Sequence, residues 1–212
     1  MARRLPVYLV LDTSGSMHGE PISAVETGVQ TLVSALRQDP YALETAYLSV
    51  ITFDSSAKQM VPLTELTAFQ APTFTASGTT ALGDALRLVA QKIDSEVAKT
   101  TAEVKGDWKP LVFIMTDGEP TDHWQNGLAE FRKQKVGMTI CCAAGQGADT
   151  NVLKQISEIV VQLDTADSAT IKAFFKWVSA SVSTSSQKVE SGINLEKVGE
   201  LPPPPPEVNI VV

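Results

Sequence analysis

The chain is poor in cysteine, in basic charge and in long apolar runs, and each shortage closes off a class of protein. Two cysteines occur in 212 residues, and they are adjacent, Cys141 and Cys142. They lie inside the apolar stretch VGMTICCAAG, where neighbouring strand side chains point to opposite faces, so they read as buried, reduced thiols. Seventeen Lys and Arg stand against twenty-four Asp and Glu, a formal net charge of −7, and the basic residues are scattered with no cluster beyond Arg3-Arg4. Binding a phosphate backbone takes concentrated Lys and Arg, so no nucleic-acid partner is expected. The first apolar run lasts from Leu5 to Leu11 and is broken by Asp12, too short for a secretory h-region. No other segment approaches the roughly 20 apolar residues of a membrane span. The expectation is a soluble cytoplasmic protein with no membrane partner.

What is present is an alternation of apolar runs and amphipathic stretches. With 43% hydrophobic residues the chain can bury one full core. Val7 to Leu11 form a continuous apolar strand, and Ile22, Val25, Val29, Leu32, Val33 and Leu36 recur at helical spacing behind Pro21. ETAYLSVITF and QMVPLTEL then read as a strand pair around the turn DSSAK, with Pro62 confining the second strand to a sheet edge. A helix follows from Leu82 to Val97 with Thr80 placed to cap it. Strand PLVFIM, a helix after Pro120, strand VGMTICCAAG, a short helix over 151–157, strand EIVVQL and a last helix from Ser168 to Ser183 complete the pattern. This alternation predicts an α/β fold: a three-layer, doubly wound, mostly parallel sheet with one antiparallel edge strand. The domain is expected over 1–187 and a proline-rich tail over 188–212.

Chemistry gathers at strand ends. Asp12, Ser14 and Ser16 follow the first strand, Gly78-Thr79 precede a helix, and Asp117-Gly118 follow a later strand. Open parallel sheets bind ligands just beyond the carboxyl ends of their strands, so these three segments point at one sheet edge. The donors are all oxygens, two carboxylates and three hydroxyls, which suits a hard cation of the Mg²⁺ or Mn²⁺ type and serves zinc or copper poorly. His18 and His123 lie near the same loops as rim residues, and Trp124 reads as a packed helix residue.

This arrangement resembles the von Willebrand factor A domain and its metal-ion-dependent adhesion site, whose pattern is Asp-x-Ser-x-Ser, a Thr after Gly, and an Asp in a TDG turn. The resemblance runs from about Leu5 to Ser183. It implies a Rossmann-like fold in which Ser14, Ser16 and Thr79 contact the metal directly while Asp12 and Asp117 act largely through water. Thr79 is preferred to Thr80 because the family's threonine directly follows the glycine. The implied metal is Mg²⁺, with Mn²⁺ or Ca²⁺ as alternatives. Neutral hydroxyls leave most of a divalent charge uncompensated, so a partner protein's Asp or Glu would complete the site. The segments LPVYLVLDTSGSMHGEPI, TDGEPTD and AFFKWVSASV and the proline-rich end are also similar to the bacterial tellurite-resistance TerY-type proteins. That similarity implies a cytosolic stress-response setting beside a kinase or a metal-dependent phosphatase.

Enzymatic readings meet missing residues. LVLDTSG is similar to the strand-end nucleophile of haloacid-dehalogenase-like phosphatases, which would use Asp12, but their second Asp is replaced by Ser14 and no proton donor remains for the leaving group. No Gly-x-Ser-x-Gly and no phosphate-binding Gly-x₄-Gly-Lys-Ser/Thr occurs. Thiol-based tellurite chemistry at Cys141-Cys142 requires an exposed strand. A non-catalytic binding module is expected. In the tail, Pro202 to Pro206 impose an extended spacer, and Val208, Ile210 and Val212 would share one side of an extended segment. That strip suits strand addition, to the chain's own edge around Met60 to Leu66 or to a partner, against the alternative of a disordered tail.

Overall fold

The computed structural model describes residues 3–191 and 201–211. Strand β1 (Leu5–Asp12) is buried along its whole length, because it lies in the middle of a seven-stranded sheet. Its parallel neighbours are β2 (Ala46–Phe53) on one side and β4 (Leu111–Thr116) on the other. Beyond β2 lies β3 (Ala57–Glu65), antiparallel and at the edge, where Pro62 is tolerated. Beyond β4 come β5 (Met138–Ala144) and β6 (Ile159–Leu163), both parallel. A short β7 (Asn209–Val211) closes the order β3-β2-β1-β4-β5-β6-β7.

Alternation along the strands divides the core into two layers. Val7, Leu9 and Leu11 face one side with Phe113, Ile140 and Cys142, against α1 (Glu20–Leu36) and α6 (Ser168–Glu190). Tyr8 and Val10 face the other with Ile114 and Cys141, against α3 (Leu82–Glu96), α4 (Trp124–Phe131) and α5 (Thr150–Ile156). The two cysteines therefore do point to opposite faces, and both are fully buried. Helices α1 and α6 approach closely at Gly28, where any Cβ would overlap the Phe175 ring. Asp167 starts α6 by accepting from Ala169 N and Thr170 N. No helix among the described residues is long and apolar enough to cross a membrane.

Four local expectations need correction. Thr80 does not cap α3; instead Asp122, from the loop before α4, accepts from Gly83 N at 3.0 Å and Asp84 N at 2.9 Å. A six-residue helix, α2 (Pro40–Thr45), precedes β2 and takes in Glu44 and Thr45, which the sequence reads as the start of the strand, because Asp39 caps it and Pro40 begins it. Helix α6 runs to Glu190 rather than Ser183. Its serines pack instead of breaking it, Ser181 Oγ donating to Trp177 O at 2.8 Å and Ser185 Oγ to Ser181 O at 2.7 Å. The tail adds its strand to β6, not to the Met60–Leu66 edge, with Ile210 opposite Val161. Val208 is buried and Ile210 is exposed, so the two do not share a buried side. Trp177 Nε1 donates to Pro202 O at 2.8 Å, which ties the proline run to α6 and so steers the tail to this edge. Val212 and 192–200 lie outside the described residues.

Candidate metal centre

Register brings the motif together. In the parallel pairing of β1 with β4, Leu11 stands opposite Met115, so Asp12 arrives beside Thr116, and Asp117 is the next residue. On its other side β1 pairs with β2, Asp12 opposite Phe53, and Thr13 N donates to Phe53 O at 2.8 Å. From the β3 edge the chain crosses back through α3, past β2 and β1, to β4 on the far side of β1, so the site occupies the switch point at the carboxyl ends of the strands.

Asp12 is fully buried. Its Oδ1 accepts from Ser14 N at 2.7 Å, bending the backbone after the strand, and its Oδ2 accepts from Thr116 Oγ1 at 2.5 Å. Ser16 Oγ donates to Asp117 Oδ1 at 2.7 Å and lies 3.0 Å from Ser14 Oγ. Since the one Ser16 proton goes to Asp117, Ser14 is the donor of that second bond. Asp12, Ser14, Ser16 and Asp117 thus form one cluster of oxygens.

Thr79 is held differently. Gly15 N donates to Gly78 O at 3.1 Å and Ser77 N to Thr13 O at 2.9 Å, docking this loop against the serine loop. The Thr79 side chain, however, is exposed and bonds away from the cluster, its Oγ1 donating to Ser55 Oγ at 3.3 Å and its N at 3.1 Å. Gly78 has φ +74, and a Cβ there would strike Ser55 Oγ, so glycine is required on both counts. Thr80 is buried, and a Cβ at Gly118 would lie within 4 Å of both Thr80 Oγ1 and Ser16 Oγ, so the Thr80 hydroxyl is near the serine loop. His18 and His123 are exposed, and Trp124 is half-buried against the second core layer.

The electrostatics leave this cluster short of positive charge. Burial holds the Asp12 carboxyl above its ordinary range, hydrogen bonds from Ser14 and Thr116 oppose that, and the nearby Asp117 raises it further. Burial also raises Asp117, against the bond from Ser16. Among the described residues no Lys, Arg or His pairs with either carboxylate. Buried charge without a partner is costly, and a divalent cation relieves it with oxygen donors of the right hardness. The residues present therefore fit such an ion. No group of three or more His, Cys, Asp or Glu that could hold a metal occurs among the described residues, so hydroxyls must form part of any donor set here. Cys141 and Cys142 sit inside the sheet with both thiols pushed upward by burial, which keeps them protonated and unreactive.

Three contributors escaped sequence reasoning. Thr116 was visible as the residue before Asp117, but its bond to Asp12 depends on strand pairing. Ser55 comes from the β2–β3 turn, and no local signal ties it to Thr79. Thr121 Oγ1 accepts from Thr80 N at 3.0 Å while Thr121 N donates to Thr80 O at 2.9 Å, fastening the α3 entry to the loop beyond Asp117.

Comparison with known proteins agrees with this fold. The model of the von Willebrand factor type A domain matches residues 7–177. An uncharacterized protein of Synechocystis sp. is 35% identical over 131 residues, covering 58% of this chain and 28% of its own length. Among solved structures, a von Willebrand factor type A protein from Catenulispora acidiphila superposes with a TM-score of 0.67 at 16% identity, over 87% of this chain and 44% of that one. Proximal thread matrix protein 1 from the mussel byssus, in a form with a zinc-occupied MIDAS motif, gives 0.61 at 22% identity, over 84% and 46%. The pilus adhesin SpaC from Lactobacillus rhamnosus GG, in an open conformation, gives 0.68 at 15%, over 86% and 30%. The chain thus spans less than half the length of these relatives, and at such identities the solved structures speak for the fold alone. With the family model covering most of the chain, the protein belongs to the von Willebrand factor type A domain family.

Proposed function

We propose that this domain is a non-catalytic, metal-dependent protein-binding module that captures an acidic residue of a partner protein. The family is known for metal-dependent adhesion and protein interaction. The observation that carries the proposal for this chain is the buried Asp12, which pairs with no Lys, Arg or His among the described residues, beside the Ser14–Ser16–Asp117 chain of hydroxyl and carboxylate oxygens. In this reading Ser14, Ser16 and Thr79 offer hydroxyls to a divalent ion, while Asp12 and Asp117 act largely through water. Thr79 must exchange its bond to Ser55 to take part. The proposed ion is Mg²⁺, though a mussel relative carries zinc in its corresponding motif. When bound, the cation supplies Lewis acidity for one further anionic oxygen. Asp12 keeps Ser14 aimed inward through its bond to Ser14 N, and Thr116 fixes the Asp12 carboxylate.

The proposed setting is a bacterial tellurite-resistance or stress-response system in the cytoplasm, with a kinase or phosphatase as partner. It rests on the resemblance of LPVYLVLDTSGSMHGEPI, TDGEPTD and AFFKWVSASV to TerY-type proteins. Hydrolysis through Asp12 is disfavoured because Ser14 stands where the acid would be needed. Pull-down from the native host tests the proposal: retention of a partner in Mg²⁺, and its loss both with chelator and with Asp12→Ala, is expected. Retention unaffected by either, or a phosphatase activity abolished by Asp12→Asn in pure protein, would overturn it.

A further inference from the structure

The connections at the metal-bearing end of the sheet, 13–19, 54–56, 77–81, 117–123, 145–149 and 164–167, contain no Lys or Arg. They carry further carboxylates besides those of the metal centre, Asp54, Glu119, Asp149, Asp164 and Asp167 among them. The approach to the metal centre is therefore negative, and an acid that docks there is favoured when positive charge flanks it.

An acid of that kind stands at the opposite end of this same chain. In the connection between α3 and β4, Thr101 N donates to Val104 O at 2.9 Å and Thr101 Oγ1 accepts from Val104 N at 3.1 Å, which closes a tight turn. The base of the loop is braced as well, Asp107 N donating to Ala98 O at 2.9 Å and Gly106 N to Thr100 Oγ1 at 3.0 Å. The turn presents Glu103, exposed, whose carboxylate has no hydrogen-bond or ion-pair partner among the described residues. Val104 beside it is 67% exposed, more than any other large hydrophobic side chain among the described residues. Lys105 follows, exposed and without a carboxylate partner among the described residues. Arg3 donates to the carbonyls of Gly106 at 2.7 Å and Asp107 at 3.2 Å, so its charge is held at the loop without being neutralised there. An unpaired acid on a braced turn, with an apolar neighbour and two positive charges close by, loses little freedom on docking.

Strands of six to eight residues separate this loop from the metal centre, a span of roughly 20–26 Å, so Glu103 does not reach the metal centre of its own chain. We propose that the acid captured by the metal centre is Glu103 of a second copy of this chain, so that copies join head to tail. This rests on the reading of the metal centre as one that captures a carboxylate, and it names the partner. The two contacting surfaces differ, so each copy in a pair keeps one free metal face and one free Glu103, and association continues beyond the dimer. Any other protein that offers an acid competes for the same ion.

The test is sedimentation velocity of the full chain over a concentration series reaching millimolar, in Mg²⁺ and in chelator, with Mg²⁺ binding to the same samples followed by calorimetry. In Mg²⁺ the wild type is expected to sediment faster as concentration rises, and chelator is expected to return it to the monomer. Glu103→Gln, a change at an exposed side chain, should stay monomeric while binding Mg²⁺, and Asp12→Ala should stay monomeric without binding it. Mixing these two variants in Mg²⁺ should give a dimer and nothing larger, because one supplies only the metal face and the other only the acid. A wild type that binds Mg²⁺ yet remains monomeric would overturn this proposal and leave the metal-centre reading standing; a folded wild type that binds no Mg²⁺ would overturn both. Association that persists in chelator or in Glu103→Gln, or a mixture of the two variants that stays monomeric, would also overturn it.

Discussion

Ser16 Oγ donates to Asp117 Oδ1 at 2.7 Å across 101 positions of sequence. This bond joins the loop after β1 to the loop after β4, and it exists because those strands are parallel neighbours. Its consequence is that two carboxylates, Asp12 and Asp117, share one crowded sheet end where, among the described residues, no Lys, Arg or His pairs with them.

Stability of the metal-free protein should therefore fall as pH rises. Both carboxyls have native values raised above the unfolded ones, so the native state holds more protons in the window between the ordinary carboxylate range and those raised values. Above that window the penalty is fully present; below it, absent. Denaturant midpoints across mildly acidic pH should show the decline for wild type and a flatter course for Asp12→Asn. Identical slopes would contradict the account.

Divalent metal should reverse that penalty. At a hundredfold excess over its dissociation constant, Mg²⁺ should add about 2.7 kcal/mol, or about 5 to 10 °C in Tm for a domain of this size. Scanning calorimetry with Mg²⁺ and with chelator reads this directly.

Thr116→Val should weaken metal binding by about 10- to 100-fold while the protein remains folded, since the variant keeps volume but leaves Asp12 Oδ2 without its donor. Comparable Mg²⁺ affinity would show that Thr116 plays no part in holding Asp12.

Much of this architecture was legible in the sequence, and what was not has physical reasons. Val7 to Leu11 announce a strand buried on both faces, and Asp12, Ser14, Ser16 and Asp117 stand at strand ends that the alternation of elements brings to one edge. Strand order alone decides what lies beside them, so Thr116 and Ser55 stayed hidden as partners. The α6 extension was obscured because Ser181 and Ser185 look polar, yet each satisfies its hydroxyl on the carbonyl four residues earlier and can be buried. Thr80 has the right residue type for a cap, but a carboxylate 39 residues away at Asp122 reaches the amides of α3 first. The tail carries a strand-like pattern, and the Trp177 bond to Pro202 and the burial of Val208, neither legible in sequence, hold it at the β6 edge.

Deleting 201–212 should open that edge. Trp177 Nε1 loses its acceptor, Val208 leaves the core, and β6 loses its outer partner. A loss of about 1–3 kcal/mol is expected, with faster amide exchange at Val161 in the truncated chain. Exchange at Val161 equal to that in the full chain would place the tail outside the stable fold.

Gly28→Val should destabilise by about 1–3 kcal/mol or more, because the new side chain meets the Phe175 ring between α1 and α6. Urea midpoints at constant m-value measure this. An unchanged midpoint would mean that the two helices are not packed as closely as described.

The central claim is that Asp12, Ser14, Ser16, Thr79 and Asp117 hold one divalent cation. Calorimetric titration of Mg²⁺ into wild type, Asp12→Ala and Ser14→Ala/Ser16→Ala tests it most directly, with circular dichroism verifying that each variant is folded. The account predicts one site per chain in wild type and no measurable binding in either folded variant; unchanged affinity in folded Asp12→Ala would contradict it.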